Sequence, residues 1–157
     1  MRIAVSACLL GEPCRYDGQS VPCASVAQLG EEYTLVPVCP EVMGGLPTPR
    51  DPSEIQMAAG RPEEVLSVRG QDVTAWFRKG AEAAVSLALE QECVAAVLKQ
   101  RSPSCGTSLV YDGTFSGTVV AGAGLTARLM KERGIPVFDE SQVSDLLSFL
   151  GREPSPC

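Results

Sequence analysis

The sequence predicts a three-layer α/β domain, Rossmann-like or flavodoxin-like, with a mainly parallel four-stranded sheet and a small β-hairpin insertion. Short β-rich runs alternate with helical runs along the chain, and this alternation favours right-handed crossovers and a parallel sheet with helices on both faces. Residues 93–99 form an apolar run typical of a strand buried on both faces. The chain has 157 residues, 45% of them hydrophobic, which is enough for one domain with a sizeable core.

The amino-terminal part of the chain predicts two strands and one helix. Residues 2–7 predict the first strand, and a turn-rich stretch leads from it to a short helix near residues 24–32. Residues 34–39 predict a second strand, which Pro40 ends because proline cannot donate to a sheet ladder.

A long connection and the best helix of the sequence come next. Residues 40–71 are rich in proline and glycine, and within them residues 56–59 and 65–68 are expected to pair as a hairpin. A connection of this length usually covers a site. Asp72 is the expected N-cap of the following helix. The buried face of that helix follows i, i+3, i+4, i+7 spacing and comprises Val73, Trp76, Phe77, Gly80, Ala84, Leu87 and Ala88.

The carboxyl-terminal part completes the alternation after the apolar strand. A β-turn is expected at Asp112-Gly113, followed by a helix over residues 124–133 that Gly134 ends. Residues 135–139 predict the fourth strand and residues 141–150 the last helix. Residues 1–150 are therefore expected to form a single domain, and residues 151–157 a flexible tail.

Charge and composition exclude several classes of function. The net charge of −6 makes nucleic acid a poor partner, and the absence of histidine excludes every histidine-based triad, base and zinc site. No apolar run is long enough to span a membrane. Met1-Arg2 leads directly into the first strand, which predicts no signal peptide and a cytoplasmic location. No glycine-rich nucleotide-binding motif follows a strand, so dinucleotide and ATP binding are not supported.

Three of the seven cysteines fall at predicted strand ends. Cys8 ends the first strand, Cys39 ends the second, and Cys105 lies a few residues beyond the third. The carboxyl ends of neighbouring parallel strands meet in one crevice, which is the usual ligand site of such a sheet. Neither the paired spacing of a zinc knuckle nor ferredoxin spacing occurs. Three thiolates on separate loops suit an iron–sulfur cluster, but the spacing fits a redox-thiol site or a mixed zinc site equally well.

The other cysteines have less specific interpretations. Cys14 is a fourth ligand, a resolving thiol or a packed side chain, with no preference among the three. Cys23 and Cys93 are expected to be structural, and Cys157, in the tail, is expected to be inert.

Polar residues accompany the three cysteines. Glu41 lies two residues after Cys39, so extended backbone would point both side chains into the crevice, where a glutamate can move protons. The alternative is a solvated loop glutamate. Residues 102–106 form either an anion-binding nest or an ordinary turn. Arg15 and Arg50 bind anionic groups of a substrate or form surface ion pairs.

A set of motifs in a fixed order resembles the thiouracil desulfidase family, formerly a bacterial domain of unknown function. The similarity spans about residues 3–140. The matching motifs are Cys8-Leu9-Leu10-Gly11, Cys14-Arg15-Tyr16-Asp17-Gly18, Pro37-Val38-Cys39-Pro40-Glu41, Gly44-Gly45-Leu46, Pro49-Arg50, Gly70-Gln71-Asp72-Val73-Thr74, Lys99-Gln100-Arg101-Ser102-Pro103-Ser104-Cys105-Gly106, Tyr111-Asp112-Gly113 and Gly122-Ala123-Gly124-Leu125-Thr126-Ala127.

The resemblance implies an oxygen-sensitive [4Fe-4S] cluster with three cysteine ligands, Cys8, Cys39 and Cys105, and one open iron. It also implies Glu41 as catalytic acid and base and Ser102 as an assisting serine. The implied reaction is hydrolytic: the substrate sulfur binds the open iron, water replaces it on the carbon, and the sulfur left on the cluster leaves as sulfide. Ser104, Gln100 and Arg15 are candidate substrate-binding residues.

This enzyme hypothesis implies a small thiolated pyrimidine as substrate and the iron–sulfur assembly machinery as partner. Other classes of function stay open at this point. They are a non-catalytic iron–sulfur module with Cys14 as fourth ligand, a structural zinc domain, and a redox switch that uses Cys8 and Cys14.

Overall fold

The structure, a computed structural model, describes residues 1–151. The elements, in chain order, are β1 (Arg2–Ser6), α1 (Ala24–Ala27), β2 (Thr34–Val38), α2 (Pro40–Met43), β3 (Ser53–Gln56), β4 (Arg61–Ser67), α3 (Thr74–Glu90), β5 (Cys93–Leu98), β6 (Leu109–Tyr111), β7 (Val119–Ala121), α4 (Leu125–Glu132), β8 (Val137–Asp139) and α5 (Val143–Phe149). Two 3-10 helices, Ala7–Leu10 and Gln28–Glu31, complete the set. The cysteine at position 157 lies outside the described residues.

The central sheet has four parallel strands in the order β2-β1-β5-β8. The predicted parallel four-stranded sheet is therefore confirmed. Counted along the chain, its strands lie in the order 2-1-3-4, which is the flavodoxin-like order rather than the Rossmann order. In such a sheet the order reverses between β1 and β5, and ligands bind outside the carboxyl ends of the strands at that point.

Helices cover both faces of the sheet because side chains alternate along each strand. Ala4 and Ala96 face α3 and α4, where they pack with Ala84 and Met130. The residues next to them, such as Val5 and Val97, point to the opposite face of the sheet. There they form a second core with residues from α1 and α5, such as Leu146. Among residues 1–151, no helix has the length and apolar character that a membrane span requires.

Two antiparallel hairpins lie outside the central sheet. The predicted hairpin exists, but it joins β3 to β4 rather than residues 56–59 to 65–68. Of the expected first strand, Gln56 ends β3 and residues 57–59 belong to the turn, where Gly60 has a φ of +71°. The second hairpin, β6 with β7, was not predicted beyond its turn at Asp112-Gly113. Both hairpins pack on α3 around a third core that includes Phe77.

Two details of α3 differ from the prediction. Val73, not Asp72, occupies the N-cap, and the Asp72 carboxylate accepts the N–H of Thr74 at 2.9 Å from one position further out. Trp76, expected in the core, is 39% exposed. Its indole lies near Gly45 at the surface, because the buried face of α3 is centred on Phe77 and Ala84.

Two glycines let α2 contact α3 backbone to backbone. A Cβ atom on Gly80 would lie 1.8 Å from the carbonyl oxygen of Pro40, and one on Gly44 would lie 2.1 Å from the carbonyl oxygen of Trp76. No side chain fits between the helices at either point. This contact fixes the position of α2, which carries Glu41 directly after Cys39.

The α2–α3 contact predicts that a glycine-to-alanine substitution in α3 destabilises the protein, although such a substitution usually stabilises a helix. Gly→Ala inside a helix normally stabilises by about 0.5–1 kcal/mol, but Gly80→Ala is expected to lower the free energy of unfolding by about 1–3 kcal/mol, since it overpacks the contact. Urea unfolding measures the change. Gly30→Ala, whose added Cβ would meet only the side chain of Leu35, at 3.4 Å, is the control and is expected to change little. Stabilisation by Gly80→Ala would contradict the close contact.

Candidate functional site

A cavity of about 620 Å³ opens at the carboxyl edge of the central sheet. Its wall comes from the ends of β1, β2 and β5, from the loop after β1, from α2, and from both hairpins. The residues with polar or thiol side chains on this wall are Ser6, Cys8, Cys14, Arg15, Tyr16, Cys39, Glu41, Arg50, Ser53, Glu54, Lys99, Gln100, Arg101, Ser102, Ser104, Cys105 and Tyr111. The cavity thus collects the sequence-predicted site residues.

The three strand-end cysteines line this one cavity, as the topology predicts. Cys8 lies in the 3-10 helix directly after β1, and Cys39 lies between β2 and α2. Cys105 lies in the loop after β5. Cys8 and Cys105 are buried at 8% and 5% exposure. Each thiol comes from a different loop, and all three are free of disulfide bonds.

The loop that carries Cys105 is held by its own serine and by α4. The Ser102 hydroxyl accepts the N–H groups of Ser104 and Cys105, both at 3.1 Å. The Ser104 carbonyl accepts N–H groups from the first turn of α4. A Cβ on Gly124 would lie 2.5 Å from that carbonyl, so α4 touches the loop backbone. The suggested anion nest is therefore wrong: the N–H groups of this ordinary turn are already used within it.

Burial keeps the thiols of Cys8 and Cys105 protonated when no cation is near. Burial raises the pKa of Cys8 from the ordinary 9.0 to about 11, with a further increase from the charge of Cys39. Burial likewise raises the pKa of Cys105 to about 12, although hydrogen bonds from Ser6 and Ser104 oppose the increase. The charges of Cys8 and Cys39 raise the pKa of Cys105 further, so the site favours a cationic guest that offsets the charge of the thiolates.

Cys14 lies beside Cys39. The Cys39 thiol donates to the Cys14 carbonyl over 3.7 Å, and burial, followed by the charge of Cys39 and a hydrogen bond with it, raises the pKa of the Cys14 thiol to about 12. Cys8 contributes a weaker repulsion. Among the cavity thiols, the structure thus connects Cys14 most strongly with Cys39, whereas the redox hypothesis paired it with Cys8.

Glu41 is the centre of a hydrogen-bonded network on the cavity wall. Its Oε1 accepts Nε of Arg50 at 2.9 Å, and its Oε2 accepts the Ser104 hydroxyl at 3.1 Å. The Ser104 hydroxyl in turn lies 3.0 Å from that of Ser102. The two charged side chains are only 16% and 6% exposed for Glu41 and Arg50. Glu41 is therefore not a solvated loop residue.

Arg50 connects three segments around the site. Its guanidinium donates to Glu41, to the Cys14 carbonyl at 2.9 Å, and to Pro47 and Thr48 of its own loop. Of the two interpretations of Arg50, the ion pair is present, but it is buried in the cavity wall rather than at the surface. The proline-rich composition of residues 40–71 indicates a covering segment but carries no signal for the pairing.

Gln100 and Arg15 differ in how free they are to bind a ligand. The Gln100 carbonyl oxygen accepts three backbone N–H groups, from residues 107–109. Its amide nitrogen donates to Ser108 and Asp139, so the whole amide is engaged in holding the Cys105 loop. Arg15 is half-buried on the cavity wall, with its guanidinium 5.7 Å from the Tyr16 ring centroid.

The cysteines surround a space rather than one point. Within residues 1–151, no three histidine, cysteine or carboxylate side chains lie close enough together to hold a single metal ion.

The chain matches a known protein family, a bacterial relative and a solved structure along nearly its whole length. The family described as 2-thiouracil desulfurase matches residues 3–142. An uncharacterized Bacillus subtilis protein, YbbK, is 39% identical over 150 residues, which are 92% of this chain and 99% of that protein. A solved structure described as the [4Fe-4S]-dependent thiouracil desulfidase TudS is 47% identical, with a TM-score of 0.88 over 97% of this chain and 99% of the other.

The buried thiols predict an alkaline instability of the metal-free protein. The pKa of Cys105 is about 12 in the folded chain against 9.0 ordinarily, so the folded state holds this proton more tightly. The contribution of this proton to the free energy of unfolding is complete below about pH 9 and is lost as the pH rises towards 12. Unfolding of metal-free Cys105→Ala, followed in urea under reductant, is expected to depend less steeply on pH above 9 than that of the wild type. The same pH dependence of the free energy of unfolding in both proteins would contradict the raised pKa of Cys105.

Proposed function

The chain belongs to the 2-thiouracil desulfurase family, and from this premise we propose that it is a [4Fe-4S]-dependent thiouracil desulfidase. Water replaces the sulfur of a thiolated pyrimidine such as thiouracil, and the products are uracil and sulfide, with no external electron donor. The observation that carries the proposal is the single cavity that is lined by three strand-end cysteines together with the Glu41–Ser104 pair.

The residues present fit the cluster. Cys8, Cys39 and Cys105 supply soft sulfur donors, the ligands that iron–sulfur clusters use. Since burial raises the pKa values of Cys8 and Cys105, loading releases their protons, and the positive charge of the iron offsets the thiolates that form. Three protein ligands leave one iron open, and Cys14 stays unligated. When bound, the cluster supplies a Lewis acid with one open position for the sulfur of the substrate.

Glu41 is the general acid and base. Its Oε2 faces the hydroxyl of Ser104, while its Oε1 is fixed by Arg50. From this position Glu41 removes a proton from the water that attacks the thiocarbonyl carbon, and it returns the proton as the C–S bond breaks. Proton transfer by a placed carboxylate contributes roughly 10²–10⁴-fold to such a reaction.

Arg50 is a positioning residue for this carboxylate. It holds one oxygen of Glu41 and also the Cys14 carbonyl, so it fixes the orientation of the acid–base group relative to the Cys14 loop. Because the ion pair is largely buried, the pairing is not weakened by solvent as a surface pair would be.

The two serines have different tasks in this scheme. Ser102, the serine that the resemblance names, accepts two backbone N–H groups and so shapes the Cys105 loop. Ser104 is 2% exposed and contacts both Glu41 and the Ser102 hydroxyl. We propose that the Ser104 hydroxyl, which donates to Glu41, assists the proton transfers of that carboxylate. The Ser102 hydroxyl supports Ser104 from its other side. Arg15 remains a candidate substrate contact, whereas the side chain of Gln100 is used in hydrogen bonds that hold the loop of Cys105.

One observation favours a second candidate function. Cys14 lies at hydrogen-bond distance from Cys39, as a fourth ligand of a closed, non-catalytic cluster would. The two functions differ in whether one iron stays open. A cytoplasmic location and loading by the iron–sulfur assembly machinery belong to both proposals, because an oxygen-sensitive cluster on free thiols requires a reducing compartment. The test of the enzyme is anaerobic purification, iron and sulfide analysis, and sulfide release from 2- and 4-thiouracil.

The ligand set predicts which cysteines the cluster needs. Cys8→Ala, Cys39→Ala and Cys105→Ala are each expected to lose most cluster iron and the brown absorbance after anaerobic reconstitution, since two thiolates hold a cluster poorly. Cys14→Ala is expected to keep both. Iron and acid-labile sulfide counts measure the outcome, with Cys23→Ala as a control outside the cavity. Loss of the cluster in Cys14→Ala would instead indicate the closed four-cysteine site.

The acid–base role predicts loss of turnover without loss of the cluster. Glu41→Gln is expected to reduce kcat for sulfide release by about 10²-fold or more, with an unchanged visible spectrum. Ser104→Ala is expected to reduce kcat more than Ser102→Ala does, because only Ser104 touches the carboxylate. Glu90→Gln, at the exposed end of α3, is the matched control. Full activity in Glu41→Gln would exclude this residue as the base.

A further inference from the structure

The loop between β6 and β7 holds one side chain in an unusual backbone conformation. Phe115 has a φ of +56°, although it is neither glycine nor asparagine. This left-handed region is costly for a bulky residue. Glycine avoids the cost, and the same loop uses glycine at the left-handed positions 113 and 117. An aromatic residue at position 115 therefore requires a reason other than the turn.

Glu54 fixes this conformation from outside the loop. Its Oε1 accepts the N–H of Gly113 at 3.0 Å and that of Phe115 at 3.1 Å. The loop also lies against β3, since a Cβ on Gly113 would be 2.7 Å from the Ile55 carbonyl oxygen. The carboxylate and the strand together hold the tip of the loop in one place.

Phe115 lies at the cavity and outside the hydrophobic cores of the described residues. Phe115 is half-buried, whereas Thr114 and residues 116–118 around it are exposed. It is not among the side chains that form or flank the three cores within residues 1–151. It lies on the wall of the cavity that the cysteines and Glu41 also line. Core packing therefore does not account for the ring.

We infer that Phe115 is a specificity-determining residue that stacks on the flat ring of the thiolated substrate, with Glu54 as its positioning residue. The inference rests on the proposed function, because it names the group that recognises the heterocycle. Aromatic rings bind planar bases face to face, and the contact tolerates different ring substituents. The strain in the Phe115 backbone is then the cost of aiming the ring, as is common at ligand sites.

The test uses the anaerobically reconstituted enzyme with 2-thiouracil. Phe115→Gly removes the ring and the backbone strain together, so it is expected to raise both the dissociation constant and KM about tenfold. It leaves kcat within about twofold and does not lower the melting temperature. Phe115→Leu keeps apolar volume but has no flat face, so it is expected to weaken binding similarly. Phe115→Tyr keeps the flat ring and is expected to bind 2-thiouracil as tightly as the wild type does. Phe149→Leu, at an exposed phenylalanine of α5, is the control.

The outcomes separate this inference from the proposed function. Equal dissociation constants for the wild type and Phe115→Gly would overturn the inference, as would a lower melting temperature for Phe115→Gly together with weaker binding, which indicates a structural role. Sulfide release decides the proposed function separately. A wild type that binds 2-thiouracil without releasing sulfide would refute the desulfidase, while the comparison of dissociation constants, which needs no turnover, would still decide the role of Phe115.

Discussion

The site depends on the parallel pairing of β1 with both β2 and β5. Parallel strands end at the same edge of a sheet, so the loops that follow them must start side by side. Cys8, Cys39 and Cys105 each lie on one of these loops, and sequence distances of 31 and 66 residues between successive cysteines become a shared cavity wall. An antiparallel arrangement of the same strands would separate at least one thiol from the others.

Backbone contacts then fix the loops to the sheet. Gly80 lets α2 touch α3, which places Glu41, and Gly124 lets α4 touch the loop that carries Cys105. The buried pair of Glu41 with Arg50 joins α2 to the Cys14 loop. A reactive group on a loop is only as well placed as the loop itself, and here each loop is held by a helix or by a buried ion pair.

The sequence predicts those features of the fold and the site that depend on local pattern. Apolar runs followed by cysteine, directly in two cases and after a short loop in the third, predict the strands and their shared edge. The two-residue spacing of Cys39 and Glu41 predicts a carboxylate nearby. Features set by long-range contacts were missed or misjudged. The Gly80–Pro40 contact and the pairing of Arg50 with Glu41 each join groups whose partner the local pattern does not identify. Trp76 fits the helical stripe but lies at its edge, where the partner surface ends.

The most direct test is a crystal structure of the anaerobically reconstituted protein, with iron located by anomalous scattering. We expect one four-iron cluster bound through the Sγ atoms of Cys8, Cys39 and Cys105, with the fourth iron facing Glu41 and no bond to Cys14. A fourth cysteine on the cluster, or iron bound away from these three thiols, would contradict it.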